Sequence, residues 1–166
     1  MKKLFCAIAM LAFSASASAN LVKNGDFAAG GSEWTLTGNL GHSSFPGYWN
    51  DGAVGSDAWL SQVIATIAGE TYSLSFDTMV TWGSMSVALD GTQLFSTSTS
   101  GHYDLSFVAA ADNASLAFIT RNDPGFNQLD NVVVDHVARA VPEPASLALL
   151  GLGLAGLGAL GRKRRG

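Results

Sequence analysis

Four aromatic side chains near predicted turns are the residues best suited to binding chemistry. Tyr48 and Trp49 lie in a long segment rich in glycine, serine and asparagine, and Trp82 and Phe126 each stand beside a turn. An aromatic ring packs against the C–H faces of a pyranose, while neighbouring polar groups fix the sugar hydroxyls. These four residues are therefore the predicted glycan-contacting site.

Burial in a core is the alternative for any of these rings, because large aromatic side chains are mostly buried. Trp34 and Trp59 are interpreted as core residues. Tyr48 and Trp49 lie between Gly47 and a second turn-forming stretch, and for them both surface contact and burial stay open.

No catalytic constellation is recognisable in the sequence. His42, His102 and His136 are far apart and lack metal-ligand spacing, and no Gly-x-Ser-x-Gly motif occurs. The carboxylates are scattered, and Asp77, on the polar face of a predicted strand, is interpreted as solvated. We therefore predict that the protein is not an enzyme and assign no catalytic residue.

Charge narrows the classes of partner. Residues 20–140 hold twelve acidic and three basic residues, a formal balance of −9, whereas the whole chain carries −4. Such a surface argues against nucleic acid and anionic lipid, which need basic partners, and suits an extracellular domain or one that binds Ca²⁺. The lone cysteine, Cys6, lies outside this segment. The stability of residues 20–140 must therefore come from a hydrophobic core.

Alternation of apolar and polar residues predicts an all-β domain at residues 20–140. In residues 72–78 the apolar side chains share one face, as in a half-buried strand. Residues 85–89 lead through Asp90-Gly91, a typical hairpin-turn pair, into another strand. Further strands are predicted at residues 105–108, 114–120 and 129–137. Short strands with regular turns predict an antiparallel β-sandwich of the jelly-roll type.

The first nineteen residues have the three parts of a secretory signal peptide. A positively charged start precedes an apolar stretch at residues 4–13, and small residues follow, ending in Ala17-Ser18-Ala19. We expect export through Sec-type machinery and cleavage by signal peptidase after Ala19. A short N-terminal helix of the folded domain is the alternative.

The C-terminus has the composition of a membrane helix with a basic stop. Residues 145–160 are uncharged and rich in glycine, alanine and leucine, and as a helix they rise about 24 Å, against a hydrocarbon core of about 30 Å. Snorkelling basic side chains would make up the difference. The basic cluster is Arg162, Lys163, Arg164 and Arg165, which should stay cytoplasmic. The protein is therefore expected to be anchored transiently in the inner membrane, with its β-domain outside.

The residues just before this helix are Val141, Pro142, Glu143 and Pro144. This motif, the apolar helix and the basic cluster together resemble the PEP-CTERM sorting signal over residues 141–166. The resemblance implies recognition by an exosortase, removal of the tail near the Pro-Glu-Pro motif, and a Gram-negative source that makes exopolysaccharide. A single-pass anchor that is never cut is the alternative.

The β-domain carries a second resemblance. Residues 20–27 with Trp34, residues 60–76 and residues 121–134 are similar to the first, central and closing strands of carbohydrate-binding, galactose-binding-like jelly rolls. The resemblance implies a jelly-roll fold with glycan-binding capacity.

In such jelly rolls a structural calcium ion often joins the first strand to the last, and the matching positions here are Asp26 and Asp130. Backbone carbonyls and water would have to complete the six to eight oxygen ligands, and Ala28 stands where the family commonly has glutamate. The alternative makes Asp26 an ordinary turn residue and Asp130 an Asx-type cap.

The first strand, near residues 21–22, is expected beside the last, near residues 132–134.

The leading hypothesis is an exported, exosortase-sorted, non-enzymatic β-sandwich that binds exopolysaccharide or other glycans of a biofilm matrix, at the cell surface or outside the cell. The alternative is a purely structural surface protein that acts through protein contacts. The second alternative is a secreted hydrolase, which a cleft with two opposed carboxylates would favour.

Overall fold

The structure, a computed structural model, describes residues 20–138 together with Gly151 and Gly153. The predicted signal peptide, the Val141–Pro144 motif, the basic cluster and nearly all of the predicted membrane helix lie outside the described residues. Within the described part of the chain, no helix is long and apolar enough to cross a membrane.

Residues 20–138 form nine β-strands. They are β1 (Thr35–Gly38), β2 (Trp49–Asp51), β3 (Ala58–Ala65), β4 (Thr71–Val80), β5 (Ser84–Leu89), β6 (Thr92–Thr97), β7 (Gly101–Val108), β8 (Asn113–Arg121) and β9 (Asn127–His136). The predicted turn between β5 and β6 is confirmed, because Asp90 and Gly91 both have positive φ, at 50° and 78°, as a two-residue hairpin of the favoured hand requires.

The strands form two antiparallel sheets. The five-stranded sheet has the order β1-β3-β8-β5-β6, and the four-stranded sheet has the order β2-β9-β4-β7. The all-β, antiparallel prediction is thus confirmed.

A single core lies between the two sheets. Inward residues alternate along each strand, as in β4, where Tyr72, Leu74 and Phe76 are buried. The Phe76 ring lies 5.2 Å from the ring of Phe118 in the opposite sheet, an edge-on arrangement that aromatic pairs favour. The buried cluster runs from Val22 to Val134, so residues 20–138 contain a complete core and form a β-sandwich.

The N-terminal segment lies beside β9, as the sequence predicted, although it forms turns rather than a strand. The Leu21 amide donates to the Val134 carbonyl at 2.9 Å, and the Val132 amide donates to the Gly25 carbonyl at 2.9 Å. The Asn20 side chain completes this contact, because its Nδ2 donates to the Val132 carbonyl and its Oδ1 accepts from the Val134 amide. Side-chain hydrogen bonds therefore replace part of the strand ladder.

Candidate functional site

The four predicted aromatic residues lie in three different environments. Trp49 is 1% exposed, because β2 alternates and pairs with β9, so Trp49 and Asp51 point inward. Burial, the second of the two interpretations of Trp49, is therefore the one observed, and its ring is not available to a sugar. Tyr48, one residue earlier, is half-buried on the opposite side of the strand.

The two tryptophans that were interpreted as core residues differ from each other. Trp34 is partly buried, its ring stacks 5.4 Å from Phe27, and its Nε1 donates to the Asn24 carbonyl. Trp59 is 39% exposed on the outer face of β3. The core interpretation of Trp59 was wrong, because its neighbours in the strand, Ala58 and Leu60, are the residues that face inward.

A cavity of about 250 Å³ opens on the outer face of the four-stranded sheet, and we call it the β9 pocket. Its lining residues are Tyr48, Asp77, Thr78, Met79, Gly101, Gln128, Leu129 and Asp130. Strand register creates it, because Asp77 pairs with both Asp130 and His102, and the β2–β9 pairing brings Tyr48 beside Asp130. An aromatic ring and three polar side chains thus form one row across the sheet.

Hydrogen bonds hold the two carboxylates of the β9 pocket in place. Asp77 Oδ1 lies 2.7 Å from His102 Nδ1, and its Oδ2 accepts from Asn131 Nδ2 at 2.8 Å. Asp130 Oδ1 accepts from the Asn131 amide at 2.7 Å. Asn131 has a φ of 51°, and this irregularity in β9 aims its side chain at Asp77. The pocket therefore presents fixed hydrogen-bond acceptors.

The Asp77–His102 pair shifts both pKa values in the directions that favour charge. Hydrogen bonds from Asn131 and, second, from His102 lower the pKa of Asp77 below 3.8. The hydrogen bond to Asp77 is the main cause that raises the pKa of His102 above 6.5, with Asp104 a smaller one. Both partners are thus charged between pH 3.8 and 6.5. The contribution of this ion pair to folding stability is lost as the pH rises through the raised pKa of His102 or falls through the lowered pKa of Asp77.

We expect an NMR titration to give His102 a pKa above 6.5 that returns toward 6.5 in the Asp77→Asn variant, because the main stabilising partner of the imidazolium is then neutral. Asp104→Asn is the matched control and should lower the His102 pKa less. An unchanged His102 pKa in Asp77→Asn contradicts the pairing.

Trp82 and Phe126 lie together in loops beyond the end of the four-stranded sheet, where they are 63% and 46% exposed. Gly125 lies against the Trp82 ring, since a Cβ there would lie 3.2 Å from Trp82 Cδ1. The Thr81 hydroxyl donates to the Phe126 carbonyl. Trp82 follows Met79 of the β9 pocket by three residues, about 10 Å of extended chain, so the exposed pair lies near the same end of the sheet as the pocket.

Asn127, for which the sequence predicted no role, holds these loops in place from the buried side. It is fully buried, its Nδ2 donates to Thr120 Oγ1 at 2.8 Å, and its Oδ1 accepts from Asn122 Nδ2 at 2.9 Å and from the Thr81 amide. A buried carboxamide needs such partners on both of its ends. Thr120 and Asn122 lie 7 and 5 residues away, but the Thr81 amide lies 46 residues away, so no local pattern marks the full set of partners.

The carboxyl group best suited to be a catalytic acid is not in the β9 pocket. Burial raises the pKa of Asp51, which accepts from the Ser43 hydroxyl and from the Ala53 amide. Asp51 is 0% exposed, whereas in the β9 pocket the pKa of Asp77 is lowered. Asp77 and Asp130 nevertheless pair between β4 and β9 in the lining of the β9 pocket, so the hydrolase alternative, which two opposed carboxylates would favour, stays open.

The predicted calcium ligands occupy separate local structures. Asp26 accepts a hydrogen bond from the Ala28 amide within the N-terminal turn, while Asp130 lines the β9 pocket. Within residues 20–138 no group of three acidic, histidine or cysteine side chains is placed to hold a metal ion. Backbone carbonyls and water are not part of such a group, so the calcium site at Asp26 and Asp130 stays a prediction. The Asn20 side chain also makes hydrogen bonds between the N-terminal segment and β9.

Comparison with known proteins identifies both the tail and the fold. Residues 140–165 match the PEP-CTERM protein-sorting motif. No curated protein matches the chain. Among solved structures, TmCBM61 in complex with β-1,4-galactotriose has a TM-score of 0.59 and 16% identity, over 72% of this chain and 100% of its own. A CBM4 domain has a TM-score of 0.52 and 18% identity, over 69% of this chain and 99% of its own.

The enzymatically active domain of tailspike protein 4 from bacteriophage CBA120 is also similar, with a TM-score of 0.54 and 21% identity over 71% of this chain. This chain spans only 21% of that protein's length.

The fold is thus that of the carbohydrate-binding module jelly rolls. The chain carries a PEP-CTERM sorting motif, which indicates an exported protein that is sorted to the cell surface through a C-terminal anchor.

Proposed function

We propose that the protein is an exported, exosortase-processed and non-enzymatic binder of neutral exopolysaccharide or other neutral glycans, and that the β9 pocket is its binding site. The observation that carries this proposal is the row of Tyr48, Asp130, Asp77 and His102 across the outer face of the sheet, in a fold shared with carbohydrate-binding modules. The signal peptide at residues 1–19 and the processed tail complete the route to the surface.

The chemistry of the pocket suits a sugar ring. The half-buried Tyr48 ring offers an apolar surface for pyranose C–H groups. Asp77 and Asp130 accept hydrogen bonds from sugar hydroxyls, and the Gln128 carboxamide both donates and accepts. Because Asn131 and His102 already fix the Asp77 carboxylate, little ordering cost remains when the sugar binds.

Charge selects neutral glycans over anionic ones. The β9 pocket holds two carboxylates, with Asp104 close to His102 Nε2 at 3.5 Å, and residues 20–140 carry a formal balance of −9. A uronic-acid polymer is repelled by such a surface. β-1,4-Galactan is a suitable first probe because TmCBM61 was solved with β-1,4-galactotriose.

Affinity electrophoresis of residues 20–138 tests the proposal, with β-1,4-galactan, hydroxyethylcellulose, xylan, galactomannan and alginate in separate gels. We expect at least one neutral polysaccharide to retard the protein and alginate to leave its mobility unchanged. Retardation by none of the four neutral polymers, with self-association in light scattering, would instead support a structural protein that acts through protein contacts. Release of reducing ends from a polymer would support a hydrolase.

Tyr48→Ala is expected to weaken binding of the retarding polysaccharide about tenfold, because it removes the only aromatic ring that lines the β9 pocket; one aromatic contact of this kind is worth more than about 1 kcal/mol. Tyr48→Phe keeps the ring and should stay within about threefold of the unsubstituted protein. Equal affinity of Tyr48→Ala and the unsubstituted protein would exclude the β9 pocket as the site.

A further inference from the structure

The outer face of the five-stranded sheet carries a second surface with sugar-binding chemistry. A groove of about 310 Å³ runs across β3, β8 and β5, and we call it the β5 groove. Trp59, Asp57 and Arg121 form one wall, Gln93 stands on the other, and Ser86 and Ala88 lie along the floor. Its volume is at the lower end of the range for pockets that hold small ligands.

The Trp59 ring is positioned by its neighbours in the sheet. It is 39% exposed, and Gly38 of β1, opposite Ala58, lies against its edge. A Cβ at Gly38 would lie 3.1 Å from Trp59 Cδ1 and 2.4 Å from the Asp57 carbonyl. The absence of a side chain at Gly38 therefore lets the indole lie close to β1, with part of its surface open to the groove.

Polar groups are held beside that ring. Arg121 Nε lies 2.8 Å from Asp57 Oδ1 in an ion pair, and no other partner of the guanidinium is found among the described residues, so its terminal nitrogens can donate to sugar hydroxyls. The Ser86 hydroxyl donates to Ser96 Oγ at 3.0 Å. A guanidinium donor and the acceptor lone pairs of the Ser86 hydroxyl beside a partly exposed indole are a combination that orients a pyranose.

The two surfaces are electrically different. The β9 pocket has Asp77 and Asp130 in its lining, whereas the charges of the β5 groove, Asp57 and Arg121, cancel. A neutral sugar is compatible with both, so one neutral polysaccharide can be bound by either face.

The two surfaces lie on opposite sides of the sandwich, because each is on the outer face of its own sheet and packed sheets are about 10 Å apart. We propose that the β5 groove is a second glycan-binding site, so that one domain holds two polysaccharide chains at once and cross-links them. This inference rests on the proposed glycan-binding function. Two sites of modest affinity then give a matrix whose strength comes from multivalency.

Calorimetry with a hexasaccharide of the polysaccharide that retards the protein most strongly, together with turbidity on mixing with the whole polymer, tests the inference on residues 20–138. We expect two sites per protein molecule and a rise in turbidity. Trp59→Ala should leave one site and abolish the turbidity while binding persists. Tyr48→Ala should weaken the other site about tenfold and likewise reduce turbidity.

Val63→Ala is the matched control, because Val63 is 68% exposed on the same face of β3 but outside the groove lining; it should keep two sites. Trp59→Phe, which retains a ring, should restore the turbidity lost in Trp59→Ala, and circular dichroism checks the fold of each variant. One site in the unsubstituted protein, or two sites in Trp59→Ala, overturns the second site and leaves the proposed function intact. If none of the neutral polysaccharides binds the unsubstituted protein, the proposed function fails as well.

Discussion

Gly25→Ala is expected to lower the free energy of unfolding of residues 20–138 by about 3 kcal/mol, which corresponds to a fall of roughly 10 °C in Tm. The Gly25 Cα lies against β9 so closely that a Cβ would stand 2.1 Å from the Val132 carbonyl oxygen. That neighbour is backbone in a fully buried strand position, so it cannot move without breaking the hydrogen bond between the Val132 amide and the Gly25 carbonyl. Thermal unfolding followed by circular dichroism measures the change.

Gly41→Ala is the control for the effect of a methyl group itself. Gly41 lies in a turn, and the nearest atom to a Cβ there is Asn39 Oδ1 at 3.8 Å, so its Tm should change by no more than a few degrees. A Gly25→Ala variant as stable as Gly41→Ala would show that the N-terminal segment is not held against β9 in solution.

Replacement of Pro142, Glu143 and Pro144 together by alanine is expected to abolish processing of the exported chain. The match of residues 140–165 to the PEP-CTERM motif implies cleavage by exosortase. Proline fixes φ and lacks an amide donor, so a Pro-Glu-Pro sequence disfavours regular structure, as is typical of sites that proteases cut. The uncut protein should remain in the membrane fraction, and intact-mass measurement should find the complete basic tail.

Arg139→Ala is the control for that substitution, since Arg139 lies immediately outside the matched residues. It should be processed like the unsubstituted chain. Equal processing of the triple-alanine variant would mean that the motif is not what the protease recognises. A complete tail on the unsubstituted chain would mean that the tail acts as a permanent anchor.

Local sequence pattern was sufficient for several strands but not for β1, for β2 or for the site. Alternation along residues 72–78 and the Asp90-Gly91 turn depend on neighbours in sequence, so β4 and the β5–β6 hairpin could be predicted directly. The β9 pocket depends on the pairing of Asp77 with Asp130, more than fifty residues apart, and the register shifts between Ser75 and Asp77. No pattern in a single sequence reports that shift.

The tryptophans show the same limit at single-residue scale. Trp49 and Trp59 can be assigned to the inner or the outer face of their strands only once the facing of each strand is known. β2 has three residues, too few for alternation to indicate a facing. Trp59 is the second residue of β3, and its inward-facing neighbours Ala58 and Leu60 are both smaller than the exposed indole.

Glycan binding at the β9 pocket is tested most directly by ¹H–¹⁵N NMR of residues 20–138 during titration with a hexasaccharide of the polysaccharide that retards the protein. We expect saturable shifts of the Met79, Gln128 and Asp130 amides, which line the pocket, and loss of those shifts in Tyr48→Ala. Saturable binding that leaves these three amides unmoved would contradict glycan binding at the β9 pocket.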